Sequence, residues 1–184
     1  MLTPASIPVI VFTVPPILLA IVILFTRPGR RRLVAAFIGG CAFAVFHLAW
    51  DTAAHYAGWW YYPFTTNAHA PLLWYAGSVF WGASTALIGW RVQRRFGLRG
   101  LLMFLVTIGV LGTINDVVGA AAAQVGALII FGAGVMPLLA DTACSGTNAL
   151  VTQVVMGLVA GPTSSNEQKA ARQMRSSRYP GAGG

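Results

Sequence analysis

Long apolar runs, separated by short basic clusters, constrain the fold of this chain more than any other feature. All twelve Lys and Arg residues fall in three clusters, within residues 27–32, 91–99 and 169–178. A helix needs about 20 apolar residues to cross a bilayer, and the runs between the clusters are long enough. With 57% hydrophobic and 9% charged residues, the chain cannot give every helix the polar outer face of a soluble bundle. The sequence therefore predicts an all-α fold, a polytopic transmembrane helical bundle.

The positions of the basic clusters predict the orientation of the bundle. Cytoplasmic loops of membrane proteins carry an excess of Lys and Arg. With the first two clusters in the cytoplasm, the N-terminus and the aromatic loop around residues 59–64 lie outside. Clusters bounded by apolar runs do not form the continuous basic face of a nucleic-acid-binding protein. We expect a multi-pass protein of the cell (inner) membrane, in contact with membrane lipids and without a nucleic-acid partner.

The hydropathy pattern divides the chain into a bundle and a tail. Residues 1–161 form the predicted bundle of about six hydrophobic segments, and the Ser-, Gly- and Arg-rich residues 162–184 form a flexible basic tail. The predicted segments are 7–26, 33–56, 72–90, 101–118, 121–140 and 143–161. Six crossings would place the basic tail outside. Five crossings, with 119–140 re-entrant or at the interface, would keep it inside, and the sequence leaves both open.

Small residues recur at four-residue spacing, which lets helix backbones approach closely in membranes. The repeats are Ala36/Gly40/Ala44, Gly82/Ala86 and Gly157/Gly161. They predict close packing within the bundle. The alternative is a face for a homodimer or for a partner in a membrane complex.

Three of the four acidic residues lie in or beside apolar segments, at Asp51, Asp116 and Asp141. An Asp at the centre of a membrane helix costs about 2.5–3.5 kcal/mol to insert, so such residues usually have a role or a partner. We take Asp51 and Asp116, assisted by His55, as candidate catalytic residues. Location near the interfaces, where the cost is small, is the structural alternative.

His47, Asp51 and His55 share one helix face at i, i+4 and i+8 spacing. The two imidazoles are about 12 Å apart along the axis, so one ion cannot bind all three side chains. We expect Asp51 to hydrogen-bond one or both imidazoles. No Walker A loop, HExxH or GxGxxG motif is present, and the sequence predicts no metal and no cofactor.

Further polar and aromatic residues could line a pocket within the bundle. An apolar cavity with a few convergent polar groups suits an apolar small molecule, and hydrogen bonding between helices is an equal alternative. The candidate substrate-binding residues are His47, Trp59, Trp60, Trp74, Trp81, Asn115 and Asp141.

Residues 50–63, WDTAAHYAGWWYYP, resemble the Asp-x6-Gly-x-Trp segment of small integral-membrane carotenoid cyclases and hydratases. The matched positions are Asp51, Gly58 and Trp60. In those proteins an acidic Pro-x-Glu-Glu-type motif opens the next helix, whereas residues 67–74 here contain no carboxylate. The resemblance implies a membrane-embedded isoprenoid enzyme, or a non-catalytic relative, rather than cyclase activity in particular.

Three functions are consistent with these patterns. The first is an enzyme that protonates an isoprenoid- or carotenoid-type lipid, with Asp51 as the acid. The second is a non-catalytic subunit or scaffold of a membrane complex. The third is a small proton-coupled transporter that uses the same Asp and His residues as a relay.

Overall fold

The computed structural model describes residues 6–122 and 129–161, and within them the fold is all-α, as predicted. The predicted tail, 162–184, lies outside the described residues. A two-stranded antiparallel sheet joins the loops at one end of the bundle. In chain order the elements are α1 Ser6–Thr26, α2 Arg30–Tyr56, β1 Trp60–Tyr61, α3 Leu72–Ala122, β2 Ile130–Phe131 and α4 Met136–Ala160.

Helix α3 reverses direction at Gly97. The φ of Gly97 is 65° and its ψ is −156°, a region that glycine enters without the steric cost of a Cβ. Phe104 packs against Gly89 on the other side of this bend, so the two parts of α3 lie side by side. We call residues 72–96 the first arm and residues 98–122 the second arm. Each arm is about 37 Å long at 1.5 Å per residue.

Three helices of the described chain are long and apolar enough to cross a membrane: Arg30–Tyr56, Leu72–Val118 and Met136–Ala160. Phe12–Thr26 of α1 is a shorter apolar stretch. Because the second of the three long helices is folded into two arms, the described bundle consists of five helical segments. These features identify a membrane protein.

The fifth predicted segment, 121–140, is not one continuous helix in the part of it that the structure describes. Helix α3 ends at Ala122, Ile130 and Phe131 form a strand, and α4 begins at Met136 rather than near residue 143. Gly134, with a φ of 93°, and Pro137 at the start of α4 account for the difference, because this glycine conformation ends regular structure and proline favours a first helical turn. The described part of 119–140 therefore divides between the end of α3, the strand and the start of α4.

Arginine side chains show which helix ends lie together. The guanidinium of Arg31 donates to the carbonyl oxygen of Val159 at 3.2 and 3.1 Å, and Arg91 donates to the carbonyl oxygen of Thr26 at 3.3 Å. The ends of α1 and α4 therefore lie beside the first two basic clusters. We call this the basic end, and the opposite end, with β1 and β2, the sheet end. The chain leaves α4 at the basic end, where the positive-inside rule would place a basic tail.

Small residues allow α2 and the first arm of α3 to touch. Ala36, Ala83 and Ala86 are fully buried, and a Cβ on Gly40 would lie 2.2 Å from the backbone oxygen of Val79. The first two predicted small-residue repeats therefore pack within the bundle. Gly157 of the third repeat has nothing within 4 Å of its Cβ position.

Replacing Gly40 by Ala should destabilise the bundle, because the new methyl group meets backbone that can move only with its helix. We expect a loss of about 1–3 kcal/mol, typical of overpacking, in reversible unfolding in mixed micelles. Gly157→Ala is the matched control and should be neutral or slightly stabilising, since alanine favours helix and the site is open. Equal stability of the two variants would contradict this packing.

Candidate functional site

Asp51 lies at the sheet end of α2 with 1% of its surface exposed. The indole Nε1 of Trp60 donates to its Oδ1 at 3.2 Å, and the hydroxyl of Tyr75 donates to its Oδ2 at 2.5 Å. Tyr62 also hydrogen-bonds the carboxylate. A buried carboxylate is tolerated only where such donors replace water. Asp51 therefore connects α2, β1, the following loop and α3.

His47 extends this network away from the aromatic residues. Its Nε2 lies 3.8 Å from Oδ1 of Asp51, and its Nδ1 lies 3.3 Å from the hydroxyl oxygen of Ser78. Ser78 in turn donates to the carbonyl oxygen of Trp74 at 3.4 Å. At 3.8 Å the imidazole of His47 is within ion-pair distance of Asp51 but makes no hydrogen bond to it. The predicted hydrogen bond from Asp51 to an imidazole is therefore wrong, because the carboxylate oxygens are directed to Trp60 and Tyr75 instead. Ser78 is buried between helices, without the exposure that a nucleophile needs.

The local backbone explains how Trp60 reaches Asp51. Helix α2 ends, Gly58 turns the chain with a φ of 71°, and β1 pairs Trp60 with Phe131 of β2. Successive strand residues point to opposite faces. Trp60 therefore points inward, at 2% exposure, while Tyr61 points outward, at 47%. The sheet thus closes the bundle above Asp51.

Asp141 is a second buried carboxylate, in the second turn of α4 and 4% exposed. Its carboxyl group lies close to the side chain of Thr113, and its Oδ2 has no hydrogen-bond partner among the described residues. Asp141 lies within electrostatic range of Asp51 and His47, and Asp116 lies within range of both other carboxylates. The structure thus gathers the three predicted aspartates at one end of the bundle.

A groove runs between the second arm of α3 and α4 beside Asp141. Gly109 brings the backbones together, since a Cβ there would lie 2.8 Å from the backbone oxygen of Thr142. Thr113 and Thr142 share a hydrogen bond of 2.8 Å and supply the hydroxyl groups of the wall. The groove has a volume of about 290 Å³ and is lined by Val110, Thr113, Ile114, Val117, Val118, Leu138 and Thr142. Most of the apolar residues lining it are exposed on the outside of the bundle, so it opens sideways, toward lipid.

The other predicted site residues lie around this network or on the surface of the bundle. Trp59 and Trp74 are half-buried and pack against the apolar cluster at the sheet end. Asn115 is exposed and donates to its neighbour Asp116 at 3.0 Å. His55 is half-buried with its ring against Tyr56, and Trp81 is 45% exposed on the outer surface.

Sequence reasoning missed five polar residues of the site. The sequence indicates only aromatic rings at Tyr62 and Tyr75, whereas in the structure their hydroxyl groups contact Asp51. Ser78, Thr113 and Thr142 gave no signal, because isolated hydroxyls are common in membrane helices. Spacing within a single helix could not reveal them either, because each of these contacts joins elements that are separate in the chain.

No protein-family model, no curated protein and no solved structure matches this chain. Its function is therefore argued from the geometry of its own residues.

Tyr75→Phe should destabilise the bundle by about 1.5–3 kcal/mol, because a buried carboxylate oxygen loses a hydroxyl donor. Tyr61→Phe removes the same atom from an exposed ring and should change stability by less than about 0.5 kcal/mol. Reversible unfolding in mixed micelles measures both. A loss of stability as small as that of Tyr61→Phe would show that the contact contributes nothing.

The stability of the sheet end should depend on Tyr62 at high pH. Burial raises the pKa of the Tyr62 phenol well above its ordinary value of 10.0, and the Asp51 carboxylate raises it further. The stabilisation from a neutral Tyr62 is therefore complete below pH 10 and is lost as the pH rises toward the folded-state pKa. The free energy of unfolding, measured from about pH 8 to about pH 11.5, should fall less steeply above pH 10 in Tyr62→Phe than in Tyr61→Phe. Equal slopes would contradict this linkage.

Proposed function

We propose that this protein is a membrane-embedded enzyme that acts by acid catalysis on an apolar, lipid-dissolved substrate of isoprenoid or carotenoid type. One observation carries the proposal. Oδ2 of Asp141, buried at the sheet end, has no partner among the described residues, and the next residue, Thr142, lines a groove that opens sideways. A buried polar atom without a partner is unfavourable in a folded protein and is common where a substrate completes the site.

The groove gives a lipid-dissolved molecule a route to the carboxyl groups. Its walls are almost entirely apolar, and the hydroxyls of Thr113 and Thr142 mark the side nearest Asp141. A polar substrate would lose its hydration there without compensation. A hydrocarbon chain would exchange one apolar surrounding for another, and only a polar or reacting group would need the threonines.

The three carboxyl groups have different surroundings, which suggests different roles. Donors from Trp60, Tyr62 and Tyr75 surround Asp51, so we assign it the role of a structural group that holds the site together. Asp141 has one oxygen without a donor and is the proposed acid. Asp116 is half-buried near Asp141, and we propose that Asp141 exchanges its proton with the surroundings of the bundle through Asp116.

The proposed chemistry balances without a further reactant. The protonated Asp141 gives its proton to one carbon of a carbon–carbon double bond, and the positive charge develops on the neighbouring carbon. The carboxylate then takes a proton from a carbon next to the cation, which shifts the double bond. In a cyclisation, the electron pair of a second double bond in the same molecule first forms the ring bond to the cation, and the carboxylate takes a proton next to the new cationic carbon. The carboxylate left on Asp141 stabilises the cation between these steps, and the indole faces of Trp59 and Trp74 are suited to the same task.

Proton-coupled transport is the second candidate, and three buried oxygens on α4 favour it. Oδ1 of Asn148 and Oε1 of Gln153 lack donors among the described residues, as Oδ2 of Asp141 does. The amide nitrogen of Gln153 donates to the carbonyls of Thr85 and Ala86 at 3.0 and 3.1 Å, which fixes its oxygen as the unpartnered atom. The three side chains extend over about 18 Å of the helix, with Gln153 about 140° around the axis from Asn148. Internal water bound to such oxygens can pass protons.

Asp141→Asn separates the two candidates. Lipids extracted from cells expressing the wild type should contain a product that falls at least about 100-fold in Asp141→Asn, as expected for loss of a general acid, and that partly recovers in Asp141→Glu. Tyr61→Phe, which removes a hydroxyl group from an exposed ring at the sheet end, is the control and should leave the product unchanged. An identical lipid profile in the wild type and in Asp141→Asn would refute the proposed enzymatic function.

Gln153→Leu tests the transporter with the same preparations. If water bound to the three buried oxygens conducts protons, this variant should abolish pH-driven proton flux in proteoliposomes. The lipid profile should stay that of the wild type. Flux that survives both Gln153→Leu and Asp141→Asn would remove the second candidate.

A further inference from the structure

Three tryptophan rings follow one another at the sheet end. The ring centroids of Trp50 and Trp59 are 6.5 Å apart, and those of Trp59 and Trp60 are 6.4 Å apart. Both distances are within the range of interacting aromatic pairs. Trp50 and Trp59 are half-buried, whereas Trp60 is 2% exposed. We call these three rings the tryptophan series, and it runs from the surface of the bundle to its interior.

The inner end of the tryptophan series is joined to a tyrosine through one carboxylate. The indole Nε1 of Trp60 donates to Oδ1 of Asp51 at 3.2 Å, and the hydroxyl of Tyr75 donates to Oδ2 of the same group at 2.5 Å. Tyr75 is 6% exposed and Asp51 is 1% exposed. The phenol proton of Tyr75 therefore has an acceptor beside it inside the bundle, away from solvent.

These two features together suit the transfer of electrons. Indole and phenol rings are the aromatic side chains that lose an electron most readily. The rate of electron transfer falls exponentially with distance, so rings in contact exchange electrons quickly. A phenol that has lost an electron becomes a strong acid, and the radical is stabilised when the proton passes to a neighbouring base. For Tyr75 that base is Asp51.

We propose that the tryptophan series and Tyr75 form an electron-transfer pathway that reduces lipid peroxyl radicals at the sheet end. Such radicals form in unsaturated lipid, and the half-buried rings of Trp50 and Trp59 are the part of the pathway nearest to them. The activity uses neither the groove nor Asp141. It therefore does not depend on the proposed reaction.

The proposed transfer balances with the peroxyl radical as the oxidant. One electron passes from Trp59 or Trp50 to the radical, and the resulting peroxide anion takes a proton from water, leaving hydroxide, to form a lipid hydroperoxide. An electron from Trp60 replaces the one lost, and an electron from Tyr75 then restores Trp60. The phenol O–H bond breaks as its proton goes to Oδ2 of Asp51, which leaves a neutral tyrosyl radical beside a protonated carboxyl group.

A quinol dissolved in the membrane is the class of reductant that would restore the resting state. The quinol gives one electron to the outer rings of the tryptophan series and one proton to water. The electron reaches Tyr75 along the same rings, and Asp51 returns the phenol proton. The pathway can therefore act more than once.

Electron paramagnetic resonance of the full chain in lipid nanodiscs tests the pathway. A lipid-soluble azo initiator generates peroxyl radicals in the bilayer, and samples are frozen during the reaction. We expect a tyrosyl radical signal in the wild type that Tyr75→Phe removes. Trp59→Phe should lose the same signal, because a phenyl ring still packs at this position but does not lose an electron readily. Radicals formed directly on exposed tyrosines are common to all samples and do not affect these differences.

Trp81→Phe is the matched control, because Trp81 is 45% exposed on the outer surface and does not belong to the tryptophan series. This variant should keep the full tyrosyl signal. Trp59→Phe and Trp81→Phe both retain Tyr75, so their comparison does not depend on the stability of Tyr75→Phe. All samples are prepared below the lowest melting temperature among the variants. Equal signals in Trp59→Phe and Trp81→Phe, or in the wild type and Tyr75→Phe, would overturn the proposal.

Discussion

The hydrogen bonding of one buried carboxylate determines how the sheet end is built. Asp51 is in an apolar bundle where an uncompensated charge would be prohibitive, and three side chains outside its own helix compensate it. Trp60 reaches it from the strand, Tyr62 from the loop and Tyr75 from the next helix. The sheet, the loop and the first arm of α3 are thus fixed relative to α2 by donors to a single pair of oxygen atoms. Packing alone could be satisfied in several ways, but these directional contacts select one.

Charge is separated along the length of the bundle. Carboxyl groups and most of the described Trp and Tyr residues lie at the sheet end. The arginines of the first two clusters lie at the basic end, where two of them bind carbonyl oxygens at the ends of α1 and α4. Between the two ends the buried polar side chains are uncharged, such as Asn148, Thr152 and Gln153. This distribution leaves each end of the bundle with its own chemistry.

The sequence predicted the elements that depend on local composition. Apolar length indicated α1, α2 and the two arms of α3, and the rarity of acidic residues drew attention to Asp51 and Asp141. The last third was harder, because 101–161 holds enough apolar residues for three crossings. The backbone geometry at Gly134 and Pro137 shows where α4 begins, and the described part of this region contains two helices, the second arm of α3 and α4. Tyr75 and Thr113 could not be predicted as site residues, since their partners are brought to them by helix packing that no short-range pattern encodes.

The reversal of α3 at Gly97 fixes how the two arms lie relative to each other. A Cβ at this position would meet nothing within 4 Å, so the glycine is required for its backbone angle and not for space. Because a single residue joins the arms, a change at Gly97 would act on both of them: on the first, whose Tyr75 donates to Asp51, and on the second, whose Val110 and Thr113 line the groove. The buried network and the groove thus depend on one backbone conformation.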